Sequence, residues 1–189
     1  MRGLTGVTTH EERRPLLQHP LARDLAVVVG WFVVAAVIGA LVWWQVTPLA
    51  EYTRTATSGQ MDEEQLGRQV SADGWFFVIG TLGGLVSGVA LLALRRRDPV
   101  ATVVLVTLGG LLASWLMLRL GLWLGPASPK DVLPHVAVGH KVPMQLKTSA
   151  TGVDLAWPLG ALLGAVGMLW GSDDARRSRV EGQTVENDG

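Results

Sequence analysis

The sequence predicts an all-α membrane fold: a four-helix transmembrane bundle with a small extracytoplasmic cap that contains short β-strands. Three observations predict it. Hydrophobic residues fill 49% of the 189 positions, and the mean hydropathy is +0.33. These residues are gathered into long blocks instead of recurring at the period of 2 or 3.6 that a soluble strand or helix shows. Basic residues crowd one side of the blocks, as cytoplasmic segments of membrane proteins do.

The first block runs over residues 25–46, between Arg23-Asp24 and Thr47-Pro48. It is longer than a signal-peptide core and no small-x-small cleavage site follows, so it reads as a retained anchor. The second block covers 75–94 and stops at Arg95-Arg96-Arg97; the third covers 100–125, interrupted by Arg119; the fourth covers 155–171 and stops at Asp173-Asp174. A hydrocarbon core of about 30 Å takes about 20 helical residues, and three of the blocks meet that while the fourth is short. In lipid a backbone polar group has no water to bond, so each block is a helix. The membrane domain is thus 24–171, and the polar segments 1–23 and 172–189 read as largely disordered tails.

Arg2, Arg13, Arg14 and Arg23 precede the first block, Arg95 to Arg97 lie between the second and third, and Arg176, Arg177 and Arg179 follow the fourth. These outnumber Arg54, Arg68, Lys130, Lys141 and Lys147 in the longer segments 47–74 and 126–153. Both termini are therefore expected in the cytoplasm of a plasma (inner) membrane protein, with 47–74 and 126–153 outside. Trp43, Trp44, Trp75, Trp123 and Trp157 fall at the outer ends of the blocks and read as one interfacial belt.

In the first outer segment, 51–57 favours a strand, Ser58-Gly59 a turn, and Asp62-Glu63-Glu64 the acidic start of a short helix with Leu66 and Val70 on one side. In the second, Ser128-Pro129 reads as a helix start, and 142–147 (VPMQLK) alternates as a strand does.

Helices in lipid associate through small residues. Gly80, Gly84 and Gly88 recur at four-residue steps in the second block, and Gly160 and Gly164 in the fourth, so these are the expected packing glycines. They could also mediate self-association, alongside contacts with the bilayer and other membrane proteins. Asp73-Gly74-Trp75 and Asp154-Leu155-Ala156-Trp157 sit alike at the outer ends of two spans, which raises an internal duplication against a simple boundary preference.

Arg119 is the outstanding ionisable residue, since a charge within a span is costly. It lies about 29 Å along its helix from Val100, near the outer interface. There it can snorkel, pair with Asp73 or Asp154 at the same level, or hold an anionic headgroup or substrate. Arg119, Asp73 and Asp154 are the expected interfacial polar cluster.

The charge balance, 16 basic against 16 acidic residues, provides no field for nucleic acid, and the lack of cysteine excludes thiol chemistry and cysteine-based zinc sites. His135 and His140, five apart, do not make a metal site by themselves. No nucleophile-elbow, zinc-protease or phosphate-loop motif occurs, so no catalytic, cofactor-binding or metal-binding residue is assigned and no cofactor is expected.

The chain resembles an actinobacterial family of four-span integral membrane proteins classed as a domain of unknown function. The resemblance rests on Trp44 to Pro48, on Ser71-Ala72-Asp73-Gly74-Trp75-Phe76 and on Trp157-Pro158-Leu159, and covers residues 25–171. It implies a location in the cell envelope and no particular activity. The expected function is a non-enzymatic accessory or interaction component of a bacterial envelope; the alternative is a small transporter or lipid-handling protein with an anionic site near Arg119.

Overall fold

A computed structural model describes residues 20–94 and 99–187. The segment 1–19 and the arginine turn 95–98 lie outside the described residues, and with them the expectations of a disordered N-terminal tail and a basic turn. The elements in order are α1 (Pro20–Val46), β1 (Glu51–Arg54), β2 (Gly59–Gln60), α2 (Glu63–Leu94), α3 (Pro99–Leu124), α4 (Pro129–Val132), β3 (Lys141–Pro143) and α5 (Ala156–Asn187). Short 3-10 turns at Leu133–His135 and Val153–Leu155 follow α4 and precede α5. α1, α2, α3 and α5 each contain a stretch long and apolar enough to cross a membrane.

Local chemistry sets several boundaries. Thr47 closes the last turn of α1 by donating its N–H to Trp43 O, and Pro48 carries no N–H with which to continue. Asp62 caps α2, its Oδ1 accepting the Gln65 N–H at 3.0 Å. That cap sits well before residue 75, so the short helix expected to begin at 62–65 and the second span are one continuous helix. Ser128 precedes α4 with Pro129 in the first turn, as expected, but its side chain makes no capping bond. α5 continues to Asn187, past Gly171 where the sequence reading ended the span and left a disordered tail. Residues 172–187 contain no proline and several good helix formers, so nothing in them interrupts the helix.

The bundle has the distribution that a hydrocarbon solvent favours. Large aliphatic side chains such as Val34, Ile38, Leu82, Val86, Leu108 and Leu163 point outward, while Ala36, Ala40, Ala113, Ala161 and Ala165 are buried. α2 and α5 make the closest pair. A Cβ on Gly84 or Gly88 would strike the backbone of Trp157 or Ala161, and one on Gly160 or Gly164 would strike the backbone of Thr81 or Leu85. The five expected packing glycines, with Gly80 against the Trp157 ring, thus join two helices of one chain. Their faces are occupied and are not free for the self-association that the sequence also allowed.

Other glycines are sockets for buried aromatics. Gly109 leaves room for the Phe32 ring, Gly121 for Trp43, and Gly39 and Gly83 for Trp157. Trp43 donates its indole N–H to Ala72 O at 3.0 Å and meets Phe76 edge-on with centroids 5.1 Å apart. Trp157 points its indole N–H at Met117 Sδ, 3.2 Å away. The interfacial belt is corrected accordingly. Trp43 and Trp157 are 0% and 1% exposed, whereas Trp44, Trp75 and Trp123 stand outside.

Strands form at one end of the bundle, but β1 ends at Arg54 instead of running to 57, and Gly59, expected in a turn with Ser58, lies in β2. The sheet order is β2-β1-β3, antiparallel throughout, with Tyr52 opposite Val142 and Arg54 opposite Gly59. It therefore stitches the segment after α1 to the segment after α3. The ladder at β3 stops at Pro143, earlier than the expected 142–147, although Met144 still donates its N–H to Ala50 O. The alternation persists in burial: Val142, Met144 and Leu146 all face the interior.

Candidate functional site

The cap rests on one face of α2. Gln65, Gln69 and Asp73 recur at four-residue spacing and so lie above one another on the helix. Gln65 is buried, and its Oε1 accepts the Glu51 N–H at 2.8 Å, fixing the start of β1. Gln69 donates its amide to Ser149 Oγ at 2.7 Å. Asp73 accepts the Ser149 N–H at Oδ1 (2.7 Å) and the Ala150 N–H at Oδ2 (3.0 Å). Both carboxylate oxygens of this buried residue are therefore used on backbone donors from the second connecting segment, the kind of charge-assisted pairing that stabilises most. Below Asp73 the face becomes Phe76, Gly80, Gly84 and Gly88. One helix face thus holds the cap with its upper part and α5 with its lower part. Leu66 and Val70 lie on another face and are exposed.

The expected cluster of Arg119, Asp73 and Asp154 is not brought together. Among the described residues no hydrogen bond or ion pair joins Arg119 to either aspartate. Arg119 is exposed on the outward face of α3, in line with Leu108, Leu111, Trp115 and Trp123, and its guanidinium lies 5.5 Å from the Trp115 ring centroid. Asp154 contributes its backbone carbonyl, which accepts from Ser114 Oγ at 2.6 Å, while the residue itself is exposed. The two Asp…Trp signatures also differ in role. Asp73 is buried beside an exposed Trp75, and Asp154 is exposed beside a buried Trp157. Their likeness in sequence is not a likeness in structure.

A cavity of about 260 Å³ opens between the sheet and α4. Tyr52, Leu133 and Met144 form its apolar wall, and Ser128, Lys130 and Lys147 its polar side. Arg54 keeps the wall in place. Its guanidinium donates to the Leu133 carbonyl, and its own backbone exchanges hydrogen bonds with Gly139 (2.7 Å) and His140 (2.9 Å). Gly59 presses directly under the Leu133 side chain, where a Cβ would come within 2.7 Å. On the opposite side of β1, Lys141 pairs with Glu51 at 3.5 Å.

Sequence reasoning singled out Asp73 but not Gln65, Gln69 or the cavity. The polar i, i+4, i+8 spacing ahead of the glycine stripe is the signal that would have revealed the first two. The cavity had none, because its lining comes from separate segments. Among the described residues no three His, Asp or Glu side chains converge as metal ligands. Compared with protein-family models, curated proteins and solved structures, the chain has no match.

Proposed function

We propose that the chain is a non-enzymatic accessory protein of a bacterial cell envelope, set in the plasma membrane with both termini in the cytoplasm and the cap outside. The orientation is supported by the bias of Lys and Arg toward the tails and the 95–97 turn. The envelope location agrees with the family resemblance carried by the Ser71 to Phe76 and Trp157 to Leu159 motifs.

One observation carries the functional part. Two connecting segments that lie far apart in the chain are built into one sheet and fastened to α2 by Gln65, Gln69 and Asp73. Connections that only joined helices would need none of this, and ordered surface segments on a rigid scaffold are where recognition concentrates. The transporter alternative requires Arg119 to face a polar path between spans. Its place on the outward face of α3, over Trp115, favours a snorkelling cation instead.

The reading is tested by site-specific photocrosslinking in native membranes. A photoreactive residue at Thr57 or Val138, both exposed in the cap, is expected to capture one reproducible protein partner, while the same probe at the outward-facing Leu163 captures lipid. A cap that yields no reproducible protein adduct contradicts the accessory role.

A further inference from the structure

We propose that the cavity between the sheet and α4 is a binding site for a small anionic amphiphile, a phosphate monoester or diester carrying an apolar group. The inference goes beyond the accessory role and does not rest on it, since it needs neither a protein partner nor a particular orientation.

Charge carries the first part of the argument. The chain uses arginine almost everywhere, and its lysines are Lys130, Lys141 and Lys147. Lys141 is taken up by Glu51. Lys130 and Lys147 border the cavity, and neither has an ion pair among the described residues. No carboxylate lines the cavity; Asp131, next to Lys130, is exposed and outside it. A lysine ammonium is a compact point charge with three rotatable donors, suited to a phosphate that arrives without a fixed bidentate geometry.

Neutral donors extend the polar side. Tyr52 and Ser128 line the same space, and neither hydroxyl makes a hydrogen bond within the protein among the described residues. Two lysines and two hydroxyl-bearing residues thus line one cavity with no carboxylate among its lining residues. A bound anion would supply the matching acceptor.

The opposite wall decides what the anion carries. Leu133, Met144 and the Tyr52 ring are apolar, and Met144 is a side chain that adapts to irregular shapes. A volume of about 260 Å³ lies just under the roughly 300–1,000 Å³ of drug-sized ligand sites. It suits a headgroup with a short apolar stretch and not a whole lipid. The walls are preformed, because the Arg54 bond to Leu133 and the Tyr52–Val142 pairing hold α4 and β3 in register. Little ordering cost therefore opposes binding.

The phosphate can belong to a membrane lipid or to a soluble ester, and the test separates them. Full-length protein in a maltoside detergent is titrated with hexyl phosphate and, separately, with inorganic phosphate. A third sample is reconstituted in phosphatidylcholine nanodiscs with and without phosphatidylglycerol. Lysine accessibility is read by reductive methylation and mass spectrometry. Protection of Lys130 and Lys147 with Lys141 unchanged is the expected result. Protection by hexyl phosphate in detergent assigns a soluble ester, and protection only with phosphatidylglycerol assigns a lipid headgroup. Lys130→Gln and Lys147→Gln should each weaken binding about tenfold, as loss of a charged hydrogen bond does. Lys141→Gln, which removes the same charge beyond the cavity, should leave it unchanged; unaltered thermal melting checks that the variants fold. No protection under any condition, equal weakening by Lys141→Gln, or binding of inorganic phosphate as tight as that of hexyl phosphate overturns the proposal.

Discussion

Asp73 fastens the second connecting segment by accepting the Ser149 and Ala150 N–H groups, and among the described residues neither N–H has another partner. Asp73→Ala removes the acceptor of both bonds; Ser149 and Ala150 are themselves exposed, so water replaces part of what is lost and the cost is about 1 kcal/mol. Hydrogen exchange in micelles is the direct check. The amides of Ser149 and Ala150 should exchange faster in the variant, while those of the lower half of α2 keep their protection. Unchanged exchange at both amides would show that the clamp is not what orders the segment. Sequence reasoning placed Asp73 at the correct end of its span, yet expected Arg119 as its partner. A charge suggests an opposite charge, whereas the real partners are backbone groups that carry no sequence signature. For Arg119, what the sequence does not supply is the direction its helix face points, outward beside Trp115 and away from both aspartates.

At the scale of elements, the α2–α5 pair depends on backbone approach that only glycine permits. In Gly88→Ala the new Cβ would meet the backbone of Ala161 and Ala165, which cannot give way as a flexible side chain can. The expected cost is about 1–3 kcal/mol from overpacking. Gly74→Ala on the same helix is the control. Nothing lies within 4 Å of its Cβ, so the exchange should be neutral or gain up to about 1 kcal/mol from helix propensity. Denaturant unfolding in micelles distinguishes the two, and equal effects would contradict the packing assigned to α2 and α5. This stripe was legible because small residues at four-residue spacing have few other uses in lipid. The aromatic sockets were not. A tryptophan near a helix end has the same sequence context whether it meets headgroups or a glycine on a neighbouring helix, so Trp43 and Trp157 were assigned to the belt. The strands were legible from β-branched and alternating residues, and the early end of β3 follows from Pro143, which has no N–H to extend the ladder.

For the whole molecule, four apolar blocks became four long helices, and the two longer connections became one cap at a single end of the bundle. The first of these was readable because bilayer thickness imposes a length on each span. The joining of the connections was not, since β1 and β3 pair across most of the membrane domain and no local pattern records that pairing. Both connections then lie on the same side of the membrane, which the proposed orientation makes the outside. The chain has no cysteine, so single cysteines can report this without interference. The most direct measurement is labelling of Thr57→Cys, Val138→Cys and Ser172→Cys in intact cells with a membrane-impermeant maleimide, repeated after lysis. The account predicts that Thr57→Cys and Val138→Cys label in intact cells and that Ser172→Cys, at the opposite end of the bundle, labels only after lysis. Labelling of one cap position without the other, or of Ser172→Cys alone in intact cells, would contradict it.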